Sequence, residues 1–258
     1  MGYLGEPVLV DRLLYKPDHS LVVQSYQPQE MTSGVVNADG FGMGWYHPQQ
    51  SVDPFTYKNT LPIWSDINLP SLSRYVESSC VLANIRSATS GQAVDLSNCQ
   101  PFQHNRILGI HNGFIERFRQ TLYRPIRDRL NDVAYQLIGG STDSEHIFAL
   151  LIHELETSPG MALADALHRT LTVLSYLGEQ YQAGFSANLV VSDGRQLVAS
   201  RFANRPNTPS LYWLRDDPLF PQAVLIASEP LFAGNWTACP EHSILTVTHD
   251  LDIQIHPI

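Results

Sequence analysis

Four stretches of this sequence carry residue types that can do chemistry. In "RILGIHNGFIERF" the pair Asn112-Gly113 stands between apolar residues. An Asn side-chain N–H and a Gly backbone N–H can point at one oxygen, which is the donor set of an oxyanion hole. The same dipeptide between apolar runs is also a hairpin turn signal. In "CVLANIRSATSG" the apolar run ends on Arg86, whose guanidinium can fork onto a carboxylate or simply reach solvent. In "STDSEHIF" Asp143 opens a helical pattern, where it can hold an ammonium or merely face the helix dipole. "NADGFGMGWY" can wall a pocket with backbone or form a glycine-rich hairpin. Its glycine spacing is not a dinucleotide fingerprint, and no helix comes after it.

The elements that must hold these residues can be read from periodicity. "SLVVQSY" reads as a strand, and "NADGFGMGWYHP" as a loop feeding a strand. Residues 51–74 are irregular and punctuated by Pro54, Pro62 and Pro70. "CVLANI" is a strand, "LSNCQPFQH" a turn, and "RILGIHNGFI" a strand, turn and strand. Residues 116–138 read as helical, with Pro125 dividing them. "STDSEHIFALLIHELE" is a helix with Thr142 and Glu145 at capping-box spacing, and "MALADALHRTLTVLSYLGEQ" is a second. Asp193-Gly194 marks a hairpin, and "LYWLR", "AVLIASE", "HSILTV" and "DIQIHPI" are four more strands. Strands, then helices, then strands indicates an α+β fold, and no linker divides residues 1–258, so one domain is expected.

Composition removes several functions. With 258 residues and 43% hydrophobic content the chain can bury a large core. The net charge is −9, and the 16 Lys and Arg form no run. Neither a nucleic-acid surface nor an anionic membrane fits that balance. No apolar window spans a bilayer and no secretory signal opens the chain. Three widely spaced cysteines, Cys80, Cys99 and Cys239, suggest no disulfide framework and a reducing cytoplasm. The ten His show no ligand spacing, and nothing calls for a metal or organic cofactor.

The order of the pieces is more specific than any one of them. "DGFGMGWY", "ANIRSAT", "N-x-x-PF", "IHNGFI" and "TDSEHIF" together resemble the class II glutamine amidotransferases, which are N-terminal-nucleophile hydrolases. "ASEPL" with a Trp after it is similar to their stand-alone branch, which includes the ergothioneine-pathway amidohydrolase. The resemblance implies a four-layer α/β/β/α sandwich with two mainly antiparallel sheets. It implies a small-molecule γ-glutamyl substrate, with Arg86 and Thr89 on the α-carboxylate and Asp143 on the α-ammonium. Asn112 and Gly113 become the oxyanion hole, turn and site at once.

That chemistry needs a nucleophile, in this family a cysteine directly after the start Met, with its own α-amine as base. The chain opens "MGYLGEP", which is similar to the stretch just after the family's Met-Cys-Arg opening. A start codon placed downstream of the true one, a trimmed chain or a genuine loss each accounts for this, and the chain as written is expected to be inactive. Retention of Arg86, Asn112, Gly113 and Asp143 favours the first two over a glutamyl-binding pseudoenzyme. Cys99 has no α-amine beside its thiol and is expected to pack rather than react, as are Cys80 and Cys239. Gln100 stands where the family commonly has His, and Ser87 replaces a larger residue; both are expected to alter the pocket wall. The leaving group is set by loops such as 47–75 and 203–220. A homodimer is allowed, and a separate ammonia-using subunit is disfavoured because a free-standing amidohydrolase is simpler.

Overall fold

The computed structural model describes every residue except 32–33 and 89–93. Its strands are Gly2–Leu9 (β1), Phe41–Trp45 (β2), Phe55–Asn59 (β3), Glu77–Ile85 (β4), Phe102–His104 (β5), Ile107–Ile115 (β6), Phe185–Ser192 (β7), Leu197–Arg201 (β8), Tyr212–Asp217 (β9), Phe220–Ala227 (β10), Thr237–Ala238 (β11), Ser243–Val247 (β12) and Ile253–Pro257 (β13). Its helices are Asp11–Leu14 (α1), Leu21–Tyr26 (α2), Leu69–Ser73 (α3), Tyr123–Arg127 (α4), Asp132–Gln136 (α5), Asp143–Thr157 (α6) and Leu163–Gln180 (α7).

The strands form two antiparallel sheets. One runs β11-β9-β10-β1-β4-β2-β3, the other β13-β12-β8-β7-β6-β5. Alternation along each strand sends neighbouring residues to opposite faces. Leu4, Leu82 and Ile226 of the first sheet meet Leu108, Ile110 and Val190 of the second in one core. Tyr3, Val81 and Leu225 point the other way, onto Leu13, Leu14, Leu21 and Leu69 of α1–α3. Leu189, Val191 and Ile115 of the second sheet face Ile147, Leu151, Leu167 and Leu171 of α6 and α7. Both faces of both sheets are therefore covered, which gives the expected α/β/β/α sandwich. Leu108 is fully buried between the sheets, so truncating it to Ala costs about 2–5 kcal/mol.

Several local expectations are corrected. "SLVVQSY" is helix α2, not a strand, because Ser20 caps it by accepting the Val23 N–H at 3.4 Å. Pro125 lies within the first turn of α4, where a missing N–H is tolerated. The break falls later, where Asn131 caps α5 through the Ala134 N–H at 2.9 Å. Half of the capping box forms on α6: Thr142 Oγ1 accepts the Glu145 N–H at 3.2 Å. The Glu145 carboxylate instead accepts the N–H groups of Gly139 and Gly140 at 2.8–3.0 Å. The Asp193-Gly194 hairpin is present, with Gly194 at φ +86° between β7 and β8. No helix among the described residues is long and apolar enough to cross a membrane.

Candidate active site

Asn112 and Gly113 do not form a turn. They lie inside β6, which pairs with β7 without interruption from Leu108↔Ser192 to Ile115↔Phe185. The glycine is demanded by lateral space rather than by a positive φ: a Cβ there would lie 2.1 Å from Ser186 O and 2.6 Å from His111 Nε2. Tertiary pairing has thus overridden the dipeptide's turn preference.

The hydrogen-bonding direction of β6 alternates residue by residue. Glu116, one residue past the strand, donates to Gly184 O in the chain leading into β7, so even-numbered residues face β7. Odd-numbered residues face the other edge. There Gly109 is paired with Phe102 of β5, after which β5 ends. Beyond it, His111 N–H donates to Gln100 Oε1 at 2.5 Å, and Ile115 N–H donates to Asp143 Oδ2 at 2.7 Å. Gly113 lies between these two and presents its N–H along the same edge.

Asn112 points from β6 toward the other sheet, where its Nδ2 donates to Ser228 Oγ at 2.8 Å. Ser228 comes directly after β10, whose Ile226 is paired with Gly2 of β1. The donor pair therefore stands at the start of β1. Met1 exchanges two backbone bonds with Ala83 of β4, at 2.6 and 2.9 Å. Burial at this point pushes the Met1 α-amine down to about 5.

Arg86 continues β4 beyond the same end. It is 7% exposed and exchanges backbone bonds with Asp39 and Gly40 at 2.9 Å. Its Nη1 donates to Asp39 O at 3.2 Å. Asp39 Oδ2 accepts the Ala88 N–H at 2.7 Å, which fixes the chain after Arg86. Thr89, the expected helper of Arg86, lies outside the described residues.

Asp143 is the first residue of α6, buried at the N-terminal end of that helix. Its Oδ1 accepts the Ser144 N–H at 2.8 Å while Oδ2 holds Ile115. The carboxylate is thus fixed two residues along β6 from Gly113. His111 faces α6 from the strand. Its Nε2 lies 3.1 Å from Ser186 O, an acceptor only, so the proton sits on Nε2 and Nδ1 accepts from Ser144 Oγ at 2.8 Å. Burial pushes this imidazole down, against the pull of Asp143, and keeps it neutral.

Asn112, Gly113 and Asp143 are therefore joined along β6, and Arg86 stands across the sheet interface at the end of β4. Sequence reasoning missed His111, Asp39 and Ser228 as supports. Ser228 sits in the "ASEPL" stretch and His111 in "IHNGFI", so both were marked by motif though not by role. Gln100 is buried, and its carboxamide bonds to the backbone of β6. Cys99 packs, as expected: it is fully buried, its Sγ lies 3.5 Å from Asn59 O and Asp95 O, and burial pushes its thiol up. Cys80 and Cys239 are likewise buried free thiols. Among the described residues no group of His, Cys, Asp and Glu could hold a metal ion.

Comparison with known proteins gives the chain's family and its fold relatives. Over its whole length the chain is 27% identical to the gamma-glutamyl-hercynylcysteine sulfoxide hydrolase of Mycolicibacterium smegmatis, covering 98% of that protein. It is 29% identical to the "Probable glutamine amidotransferase DUG3" of Saccharomyces cerevisiae, over 98% of this chain and 82% of the yeast protein. A glutamine aminotransferase class-II domain protein from Silicibacter pomeroyi superposes with a TM-score of 0.73 at 25% identity, covering 100% of this chain and 97% of that one. The glutamine phosphoribosylpyrophosphate amidotransferase of B. subtilis shares the fold alone, with a TM-score of 0.66 at 14% identity over 99% of this chain and 48% of that one. Residues 16–229 match the family model for glutamine amidotransferases class-II, and the chain belongs to that family.

Proposed function

We propose that this protein hydrolyses a γ-glutamyl amide through a thioester on an N-terminal cysteine carried ahead of Met1. The register of β1 carries the reading. Gly2 is opposite Leu82 and Met1 opposite Ala83, so each earlier residue steps one further along β4. The third residue ahead of Met1 then falls opposite Arg86, and the other neighbour of β1 runs on to Ser228 and Asn112. A cysteine delivered there meets an oxyanion hole on one side and a buried guanidinium on the other.

These groups define the chemistry. The thiol, deprotonated by its own α-amine, attacks the γ-carbonyl carbon, and the oxyanion forms toward Asn112 Nδ2 and the Gly113 N–H. Arg86 holds the α-carboxylate and Asp143 the α-ammonium. The amine leaves with a proton, and water cleaves the thioester to free glutamate. Stand-alone hydrolysis is favoured over ammonia supply to a partner, and three buried free thiols fit a reducing cytoplasm. The hercynylcysteine conjugate acted on by the mycobacterial relative is the first substrate to test, with glutamine and γ-glutamyl peptides beside it.

N-terminal sequencing and intact mass of the protein from its native host test this reading. The expected result is a free N-terminal Cys ahead of Met1 and glutamate release that its substitution by Ala abolishes. A mature chain beginning at Met1 or Gly2, with glutamate binding and no turnover, replaces it with a γ-glutamyl-binding protein.

A further inference from the structure

The open edge of β6 raises a problem of positioning. A Gly between two half-supported residues is free to flex, and an oxyanion hole depends on fixed donors. Asp143 anchors the strand at Ile115 on one side of Gly113. On the other side β5 has already ended. Continuing its register, Phe102↔Gly109 and Gln103↔Leu108, would place residue 100 opposite His111.

Gln100 does stand there, but its side chain makes the contact. Oε1 accepts the His111 N–H at 2.5 Å and Nε2 donates to His111 O at 3.1 Å. This is the exchange a neighbouring strand residue would make through its peptide groups. The Gln100 backbone turns instead to the first sheet, so close that a Cβ on Gly42 would lie 2.3 Å from Gln100 O. Two residues earlier, Asn98 Oδ1 accepts the Ser141 N–H at 3.1 Å, just ahead of α6. The segment 98–100 therefore touches the strand next to Arg86's anchor, the loop before Asp143 and the strand of the oxyanion hole.

We propose that Gln100 is a positioning residue for the oxyanion hole: its carboxamide replaces the missing peptide of β5 and fixes His111, and through it the Gly113 N–H, in the sheet. This rests on the hydrolytic reading above. A neutral amide suits the place because it supplies one donor and one acceptor at every pH.

The test compares the protein bearing its native N-terminus with Gln100→Met, which keeps the length and loses both bonds, and Gln100→Glu. With L-glutamine and γ-glutamyl-p-nitroanilide as probes, Gln100→Met is expected to lower kcat about 10–100-fold, less than outright loss of a donor. KM should stay within about threefold, because Arg86 and Asp143 are untouched. In Gln100→Glu the ionised carboxylate opposes His111 O, while the protonated acid restores the donor. Its kcat relative to wild type should therefore recover as pH falls. Amide exchange at His111 should quicken in Gln100→Met. A kcat within twofold of wild type, or a loss carried by KM, overturns the proposal, as does a Gln100→Glu ratio that is flat with pH. If the wild type cleaves no γ-glutamyl amide, the hydrolytic reading has failed. Exchange at His111 then decides the positioning role alone, and an amide equally protected in Gln100→Met overturns it.

Discussion

Strands β6 and β7 lie side by side through eight residue pairs, yet their environments differ. Strand β7 is bonded to β6 on one edge. On the other it pairs with β8 at Val190–Ser192, donates from Ala187 to Phe202 O and from Leu189 and Phe185 to Ser200 Oγ and Asn204 Oδ1, and all of its residues are buried. Strand β6 has a backbone partner along its full length on one edge only. Its other edge passes from β5 to the side chains of Gln100 and Asp143, and Asn112 is exposed. A strand bonded on both edges has no N–H to spare. A strand whose second edge is held by side chains can be rigid and still offer one donor, and that is the position Gly113 occupies.

The sharpest way to break this comparison is Gly113→Ala. Its partner in β7 is Ala187, which carries a methyl at that level without conflict. On β6 the same methyl meets Ser186 O at 2.1 Å, backbone that cannot swing aside. The strands must separate, moving both donors. We expect loss of at least ~10³-fold in kcat/KM and destabilisation of about 1–3 kcal/mol in urea unfolding. An active, fully stable Gly113→Ala protein would show that the β6–β7 spacing does not set the site.

The next largest effect concerns the groups that stand behind β6. His146 of α6 is buried between Phe118 and Tyr123; its Nδ1 donates to Thr142 O at 2.7 Å and its Nε2 accepts from Arg127 at 2.9 Å. Burial pushes its pKa down to about 4. The unfolded chain, with an ordinary His pKa near 6.5, binds this proton first. Stability from this group is thus complete above pH 6.5 and lost as pH falls through about 4, up to about 3 kcal/mol. Urea midpoints measured from pH 7 to 4 should fall in wild type and flatten in His146→Gln. An unchanged slope in that variant would sink the assignment.

Asp143→Asn separates the two duties of that carboxylate. The amide oxygen can still accept the Ile115 N–H, so the strand end should hold. The charge that would meet an α-ammonium is gone. Glutamate affinity, measured by calorimetry, is expected to fall about 30-fold, or about 2 kcal/mol, with the fold intact. Equal affinity in both proteins would remove Asp143 from the binding site and leave it a strut.

These residues also show how much could be read in advance. Arg86, Asn112, Gly113 and Asp143 could be singled out because each lies at the end of an element or within a short motif, and their proposed roles came from the family resemblance. The α+β class was legible because most strands and both long helices announce themselves by period, whereas the layering came from the family resemblance. Asn112-Gly113 was misread as a turn because the local signal is the same whether glycine supplies a positive φ or simply has no Cβ. Only Ser186, on another strand, decides between them. The strand reading of "SLVVQSY" failed for a related reason. β-Branched residues favour a strand only until a cap and a core face pull them into a helix. The contacts of Gln100 with His111 and of Ser228 with Asn112 join distant segments, and no spacing along the chain predicts them.

The smallest expected effect is also the finest test of the comparison. The Ser228 hydroxyl reaches β6 from the opposite sheet and accepts from Asn112 Nδ2. An Asn amide has two N–H donors. One is spent on Ser228, which leaves the other for the oxyanion in the proposed mechanism. Removing the hydroxyl in Ser228→Ala leaves the backbone of β6 with its full support from β7, Gln100 and Asp143. Only the Asn112 side chain gains freedom. We expect stability to change by less than about 1 kcal/mol, since a neutral, partly exposed hydrogen bond is lost. The expected fall in kcat is about 10-fold with KM unchanged, because one donor is disordered rather than deleted. If Ser228→Ala matches Asn112→Ala in kcat, the side-chain donor works only when Ser228 holds it. If Ser228→Ala equals wild type while Asn112→Ala is impaired, Asn112 is set by β6 alone, and the second sheet contributes no orientation to the oxyanion hole.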